Sequence, residues 1–408
     1  MGLLLPEPIP NDADVSAAAL RFYYEHLFPF EELQRWLSYK NSPSGVQTAL
    51  NDPEFISKRE FCLTCKRKDA KDEEFFMRWQ GFVSLQALRE RLLSLSDVFC
   101  HKFDLGGVYV HPVAQKETHG VLFKPQQKEL VFDIDMNDYD AIRTCCKDKK
   151  VCKKCWRFLS VAVRLLEAAL REDFGYKQIF WVFSGRRGIH AWICDTDARL
   201  LPNESRGQLA EYLNLLTGSD QQAKKINLWG KTQHPSVERA FQIAYRHFNR
   251  ILEEQDFFFA AEGDKQLQQL MEYLPGDSSS SNSNSNNSNS SNSSGFGGGA
   301  ARGFGASTKS RSAAAAAAAA GLRQQVMSCI QEVKAAKSAD TPQNSKSAAL
   351  FEKICRLVNC QTPAAAAAAP ADGAAAAAAA RETEAVPTFI KEIVLAFSYP
   401  RLDINVRL

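Results

Sequence analysis

Two aspartates in the segment 129–136 have the spacing of a metal-binding pair. β-Branched, aromatic and aliphatic residues run through this segment and a turn-prone Asn-Asp pair follows it, which predicts a β-strand. Side chains alternate along a strand, so Asp133 and Asp135 share one face, roughly 6.6 Å apart at about 3.3 Å per residue. Both carboxylates can then reach one hard cation or bracket two. An edge strand with a solvated acidic face shows the same pattern, but an apolar strand that ends in such a pair favours the metal site.

Four cysteines follow this strand closely in the sequence: Cys145, Cys146, Cys152 and Cys155. Zinc prefers a tetrahedral set of thiolates or imidazoles, and Cys-x-x-Cys is its usual half-site. The cluster therefore favours a closed, structural zinc site over four incidental buried cysteines. The pair Cys62-x-x-Cys65 stands alone and is not expected to bind metal. Lysines surround the zinc cluster, and they allow either contact with a phosphate backbone or a solvated rim: Lys147, Lys149, Lys150, Lys153 and Lys154.

A short turn between two predicted strands carries further polar groups, namely Ser184, Arg186, Arg187 and His190. Its glycines permit backbone angles that other residues avoid. The planar guanidinium fork suits bidentate contact with phosphate oxygens, so the turn is a candidate triphosphate clamp. An Arg-Arg pair in a turn is more commonly just exposed. Beside an acidic strand, however, it suggests a polymerase-like arrangement in which carboxylates hold metal and arginines hold phosphate.

Composition narrows the class of protein. The 408 residues carry a net charge of +3, which is too small to argue for nucleic-acid binding by itself. The sequence shows neither a transmembrane pattern nor a signal peptide at its start, so we expect no membrane association. The cysteine number, eleven, is odd, which favours reduced thiols or metal ligands over disulfides. We therefore expect an intracellular protein.

Hydrophobic periodicity predicts both helices and strands. The predicted helices cover 14–40 with a break at Pro29, 84–96, 156–171, 205–217, 236–274, two segments within 321–358, and 389–397. The predicted strands lie at 60–63, 75–79, 105–111, 129–136, 179–183, 190–194 and 402–406.

Low-complexity stretches divide the chain. A Ser/Asn run, a Gly-rich stretch and an alanine block at 276–320 cannot build a packed core and predict a disordered insert. A second, alanine-rich linker is expected at 361–386. These limits leave a core at 14–275, a helical segment at 321–360 and a further part of the core at 387–408.

Several of these motifs, taken together and in this order, resemble the catalytic small subunits of eukaryotic-type DNA primase, within the archaeo-eukaryotic primase superfamily. The matching stretches are Tyr23-Tyr24 with Leu27-Phe28-Pro29, Arg59-Glu60-Phe61, Phe132-Asp133-Ile134-Asp135 with Asp138-Tyr139-Asp140, the cysteine cluster, Ser184 through Trp192, and Pro400 through Val406. The similarity covers roughly 14–250 and 387–406, and the low-complexity stretches fall outside it.

The resemblance implies an α/β (α+β) archaeo-eukaryotic primase fold, with a small zinc-binding knob at about 145–155 and a helical subdomain at about 205–275. It also implies that RNA primers are made from ribonucleoside triphosphates on single-stranded DNA. The catalytic cofactor is then Mg²⁺ or Mn²⁺, and Zn²⁺ is structural.

Residue roles follow from the same resemblance. Asp133 and Asp135 hold the catalytic metals, with Asp403 as third carboxylate and Glu60 as a further acidic residue of the active centre. The implied nucleotide contacts are Arg78, Asp104, Ser184, Arg186, Arg187, Gly188 and His190, with Asp104 near the ribose 2′-hydroxyl. A surface ion pair or a turn cap is the alternative role for Glu60 and Asp104.

The implied partners are the primase large subunit and the catalytic and accessory subunits of DNA polymerase alpha, in the nucleus. Two other functions stay open: a structural subunit that lost catalysis, and a related primase-polymerase that acts in repair. In the family, a lysine and a histidine beyond the strand of Asp403 also contact the triphosphate. Because the sequence stops at Leu408, we expect a truncated chain that starts primers poorly.

Overall fold

The computed structural model describes residues 16–41, 51–68, 73–216, 226–228, 233–261, 263–275, 306–337, 345–360, 386–400 and 403–404. The strands are β1 Arg59–Arg67, β2 Glu74–Gln80, β3 Val98–Tyr109, β4 Pro125–Gln127, β5 Leu130–Asp135, β6 Ile179–Phe183, β7 Gly188–Ile193 and β8 Asp403–Ile404. The helices are α1 Ala17–His26, α2 Phe30–Leu37, α3 Leu85–Leu93, α4 Lys116–His119, α5 Trp156–Glu172, α6 Thr196–Arg199, α7 Asn203–Leu213, α8 Pro235–Gln255, α9 Gly263–Tyr273, α10 Ala306–Ala335, α11 Lys346–Leu357 and α12 Thr388–Ala396. The mixture of helices and sheets agrees with the α+β class.

The chain forms two compact units. One contains the described residues of Met1–Val131 and Trp192–Gln208, and the other those of Phe132–Ala191 and Leu209–Ile404. Each unit has a sheet of four strands.

The first unit is built on the sheet β2-β1-β3-β4, whose neighbouring strands are all antiparallel. Helices α1, α2 and α3 pack with this sheet around a core that includes Phe61, Leu63 and Leu88. Burial of these apolar side chains stabilises the unit by about 25 cal/mol for each Å² of apolar area removed from water. Pro29 separates α1 from α2, as the sequence predicted.

A buried ion pair also stabilises the first unit. The side chains of Arg59 and Glu129 are both fully buried and lie 2.8 Å apart. The hydroxyl of Tyr39 donates to the same carboxylate at 2.5 Å. Burial works against the charge of Glu129, but Arg59 outweighs it and holds the pKa of Glu129 far below its ordinary value.

The second unit is built on the sheet β6-β7-β5-β8. Its helical core joins α5, α8 and α12 through residues such as Phe158, Phe241 and Val394, each fully buried. Helix α5 is amphipathic because buried apolar residues recur every three to four positions, at Leu159, Ala162, Leu166 and Leu170, and this spacing puts them on one face.

One element differs from the composition-based expectation. Helix α10 begins at Ala306, so the end of the segment predicted as a disordered insert is helical. Alanine has the highest helix propensity, and Ala319 is packed to 8% exposure, as is natural for a helix with a supporting surface. Residues 276–305 and 361–385 lie outside the described part of the chain. The other domain limits stay predictions.

Candidate active site and metal centre

The acidic strand alternates as the sequence predicted. Along β5, Phe132 and Ile134 are fully buried, whereas the side chains of Asp133 and Asp135 are 52% and 37% exposed. The burial of the apolar face fixes the register, because a slip of one residue would turn the carboxylates into the core. Both carboxylates are thus available to a ligand on one face of β5.

The side chain of Asp135 has two partners. It accepts a hydrogen bond from the backbone N–H of Asn137 at 3.0 Å, and so caps the short 3₁₀ turn that follows β5. It also accepts one from Nε of Arg187 at 2.9 Å. The backbone N–H of Met136 donates to the Arg187 carbonyl at 3.2 Å. The turn 184–188, called the arginine turn below, is therefore held beside β5 by main chain as well as side chain.

The turn between β6 and β7 is closed internally. The N–H of Ser184 donates to the Gly188 carbonyl at 2.9 Å, and the N–H of Gly188 donates to the Ser184 hydroxyl at 3.0 Å. Gly185 has φ +85°, a left-handed angle that favours glycine. A Cβ on Gly188 would lie 2.9 Å from the Ile134 carbonyl oxygen, so glycine permits the close approach of the turn to β5. The Arg186 side chain is exposed.

His190 lies beside the first aspartate. Its Nε2 is 3.3 Å from Oδ1 of Asp133. The hydrogen bond to Asp133 raises the pKa of His190 against the opposing effect of partial burial. The structure therefore brings together Asp133, Asp135, Ser184, Arg187 and His190, which the sequence had placed on two separate segments.

The third predicted carboxylate, Asp403, is described only by its backbone. Strand β8 is antiparallel to β5, and Asp403 is the register partner of Asp133. The role of its side chain stays a prediction.

A second polar group forms within the first unit. Glu60 on β1 is 4% exposed and accepts hydrogen bonds from Nε and Nη2 of Arg78 at 3.2 and 3.0 Å. The pKa of Arg78 is raised by this hydrogen bond and by the carboxylate charge. The hydroxyl of Tyr109 donates to the other oxygen of Glu60 at 3.3 Å. A Cβ on Gly106 would lie 2.9 Å from Cβ of Glu60, so this glycine makes room for the carboxylate.

Asp104 lies on β3 opposite Cys62 of β1. Its side chain is 51% exposed and its Oδ1 is 3.4 Å from Nζ of Lys102. It is not part of the Glu60–Arg78 hydrogen-bonded group among the described contacts. Tyr109, the last residue of β3, is a partner of Glu60 that no motif in the sequence indicates.

The four cysteines converge as a metal centre requires. The Sγ atoms all lie within 4.8 Å of one another in the set Cys145, Cys146, Cys152 and Cys155. Zinc with Zn–S bonds of about 2.3 Å has S–S separations of about 3.8 Å in a tetrahedron, so a small contraction completes the site. No other cluster of at least three His, Cys, Asp or Glu ligands occurs among the described residues.

The electrostatics of the cluster also fit a cation. Burial raises the pKa of the Cys145 thiol to about 12, and burial with neighbouring thiols raises that of Cys146 to about 11. Burial also acts on Cys152, but hydrogen bonds from the backbone outweigh it and lower the pKa of that thiol to about 7. Thiolates placed this close repel one another, and a divalent cation removes that repulsion. The donor set therefore fits a soft divalent ion such as Zn²⁺.

Arg143, which no motif in the sequence indicates, holds the loop that carries the cysteines. Arg143 has a fully buried side chain and is paired with Asp140. Its guanidinium donates to the Lys150 and Asp148 carbonyls, each at 2.8 Å. A buried arginine that fills its donors with loop carbonyls fixes the shape of the loop. An arginine before a cysteine pair carries no such signal in sequence.

Comparison with known proteins defines the class. A family model described as the DNA primase small subunit matches residues 132–407, which is more than half of the chain. The chain therefore belongs to the DNA primase small subunit family. The match begins within β5 and extends past β8.

Individual relatives agree with the family. The chain is 39% identical over 252 residues to the DNA primase small subunit of Schizosaccharomyces pombe, covering 61% of this chain and 52% of that protein. It is 38% identical over 257 residues to the Drosophila melanogaster subunit, covering 62% and 54%. The Saccharomyces cerevisiae subunit is 36% identical over 246 residues, covering 59% and 54%. The matched region is thus about half the length of these curated relatives. No helix in the described part of the chain has the length and hydropathy of a membrane span.

Proposed function

We propose that this chain is the catalytic part of a primase that synthesises short RNA primers from ribonucleoside triphosphates on single-stranded DNA. The observation that carries the proposal is the ion pair between Asp135 and Arg187, which joins the acidic strand to the arginine turn. Metal-binding carboxylates and phosphate-binding cations within one group are what nucleotidyl transfer needs, because that reaction depends on positioning and charge neutralisation.

Each residue of the group has a role in this proposal. Asp133 and Asp135 would hold divalent Mg²⁺ or Mn²⁺, with Asp403 as third carboxylate. Such ions, when bound, neutralise the attacking and leaving oxygens of an in-line displacement. Half-exposed carboxylate oxygens are the donors that hard cations prefer, so these residues fit the ions.

The turn would bind the triphosphate. Arg186 and Arg187 offer planar forks for phosphate oxygens, and the hydrogen bonds between Ser184 and Gly188 close the turn that carries both. His190, with Nε2 3.3 Å from Asp133, adds an imidazole at the same edge of the sheet. These groups stabilise negative charge without a covalent intermediate.

In the first unit, Glu60 and Arg78 are proposed to serve the nucleotide as well. Arg78 has a 58% exposed side chain and yet two hydrogen bonds to buried Glu60, so its guanidinium is held in place while open to a ligand. Asp104, half exposed, is proposed to lie near the ribose 2′-hydroxyl. Zn²⁺ would hold the cysteine knob in shape and take no part in the chemistry.

The proposed partners are the primase large subunit, the DNA polymerase alpha catalytic and accessory subunits, and the single-stranded template, with the nucleus as location. A structural subunit without catalysis and a repair primase-polymerase are the competing functions. The cysteine cluster directly after the acidic strand favours the replicative primase.

The test uses the purified chain with its large subunit, a single-stranded template and ribonucleotides. We expect dinucleotide formation without a pre-made primer, and its loss in Asp133→Asn. Synthesis that requires a pre-made primer would instead identify the repair enzyme. No synthesis in either case, with normal binding to the large subunit, would identify the structural subunit.

A further inference from the structure

Beside the cysteine cluster the second unit carries an unusual concentration of positive charge. Lysines at five of the eleven positions 145–155 are exposed: Lys147, Lys149, Lys150, Lys153 and Lys154. The negative charge of the metal site is too small to account for five lysines. With four thiolates, one Zn²⁺ and the single aspartate, the segment still has a formal charge of about +2.

The lysines are attached to a rigid backbone. Arg143 holds the carbonyls of Asp148 and Lys150, and Asp148 has a left-handed φ of +54° that fixes the bend between them. Because the loop is ordered before any ligand arrives, binding through these lysines requires only side-chain ordering.

An aromatic pair follows this loop, with Trp156 half-buried and Phe183 exposed. Trp156 directly follows Cys155 and begins α5, and its ring meets that of Phe183 edge-on with centroids 5.5 Å apart. The Phe183 residue is 54% exposed, so more than half of its surface is accessible to a ligand. The T-shaped contact with Trp156 leaves more than half of Phe183 exposed, and an exposed aromatic ring can stack on a base.

Phe183 also connects the aromatic pair to the arginine turn. It is the last residue of β6, and Ser184 opens the turn that presents exposed Arg186. The lysine-rich segment thus leads along the chain to Trp156, Trp156 contacts Phe183, and Phe183 leads along the chain to the turn of Arg186. Alternating cationic and aromatic groups match a single strand of nucleic acid, whose phosphates need cations and whose unpaired bases need stacking partners.

We propose that this surface, formed by the five lysines, Trp156, Phe183 and Arg186, binds a single-stranded polynucleotide and guides it to the arginine turn. The inference rests on the proposed function, since it assigns the binding track of that same site. The lysines contact phosphates and Phe183 stacks on a base. An acidic protein segment would satisfy the lysines but would leave the aromatic ring without a role.

The experiment measures binding of fluorescein-labelled oligo(dT) by fluorescence anisotropy, without nucleotides, across a range of salt concentrations. Lys149→Ala/Lys150→Ala/Lys154→Ala should weaken binding and flatten the slope of log affinity against log salt by about 2, at about 0.7 per lost phosphate contact. Phe183→Ala should weaken binding on the order of tenfold with the slope unchanged, and Phe183→Trp should restore it.

The control removes the same charge elsewhere in the second unit. Lys334, Lys353 and Arg356 each lie beside a carboxylate, at 3.4, 2.7 and 2.6 Å, and are thus already neutralised. Replacing all three by alanine should leave the slope as in the parent. Equal changes in the two triple variants would overturn the proposal. So would equal competition by polyglutamate together with an unchanged affinity in Phe183→Ala, which would assign the surface to an acidic protein.

Melting temperature and zinc content, measured for each variant, separate a binding defect from a folding defect. The outcome is also separable from that of the proposed function. If the salt slopes change as expected but the parent chain makes no dinucleotide, the polynucleotide-binding surface is supported and the proposed polymerase activity is overturned. If the lysine variant makes primers normally and its salt slope is unchanged, only the proposed binding surface is overturned.

Discussion

Asp135 and Arg187 form an ion pair with Nε 2.9 Å from the carboxylate, although the two residues are 52 positions apart in the sequence. The pair links the strand proposed to hold metal with the turn proposed to hold phosphate. Substitutions on either side should therefore affect both functions, and the variants below are chosen to separate charge from geometry.

The first prediction concerns the two aspartates. Asp135→Asn keeps an oxygen acceptor for the Asn137 N–H and removes only the negative charge. We expect dinucleotide formation to fall by several orders of magnitude in Asp133→Asn and Asp135→Asn. The melting temperature of Asp133→Asn should stay within a few degrees of the parent, and Asp135→Asn should lose less than Arg187→Ala because its amide oxygen still accepts from Arg187. Near-normal synthesis by either variant with Mg²⁺ or Mn²⁺ would exclude the metal-binding role.

A second prediction compares the neighbouring arginines. Arg186→Ala and Arg187→Ala should each raise the KM for nucleotide roughly ten- to a hundredfold, because a charge-assisted hydrogen bond contributes about 1.5–3 kcal/mol. Only Arg187→Ala should also lower the melting temperature, since Arg187 is paired with Asp135 and Arg186 is exposed. The check is steady-state kinetics together with thermal unfolding. A stability loss of equal size in both variants would contradict the assignment of the ion pair.

The cysteine cluster should contain one zinc ion per chain. Cys152→Ser/Cys155→Ser should lose the zinc. Its melting temperature should fall more than its rate of primer synthesis, because structural zinc contributes folding free energy directly. Elemental analysis and melting curves measure both effects. Cys62→Ser, in the isolated Cys-x-x-Cys pair, is the control and should retain the metal. Zinc-free parent protein would disprove the site.

Acid should destabilise the first unit through Glu129. The folded pKa of this carboxyl lies well below its ordinary value of 4.5, so its contribution is complete above that pH and is lost as pH falls towards the folded pKa. Glu129→Gln should lower stability by about 3–5 kcal/mol at neutral pH because it leaves the buried Arg59 charge unpaired. It should also flatten the acid dependence. Glu117→Gln, at a 92% exposed side chain, should do neither.

Deletion of 277–305 should change neither melting temperature nor primer synthesis, because that composition buries little and longer loops add only slowly to closure entropy. Deletion of 277–320 should be destabilising, since it removes the first half of α10 and the buried Ala319. Circular dichroism and thermal unfolding distinguish the two. Equal stability of both deletions would show that the start of α10 has no packing role.

The sequence alone determined the local features that depend on spacing. The alternation around Asp133 and Asp135, the break between α1 and α2 at Pro29 and the amphipathic α5 follow from side-chain periodicity and backbone stereochemistry, which act over a few residues. The grouping of the four cysteines was also foreseeable, because they lie within one short segment. The order of motifs gave the family.

Tertiary structure decided the contacts between distant segments. Only the pairing of strands put Arg187 on Asp135 and His190 beside Asp133. The same holds for Tyr109, whose hydroxyl reaches Glu60 across the first sheet, and for Arg143, whose role depends on loop carbonyls. The start of α10 could not be predicted from composition either, because an alanine run becomes a stable helix only where the fold supplies a surface for it. Such contacts depend on chain reversal and packing, which no local spacing records.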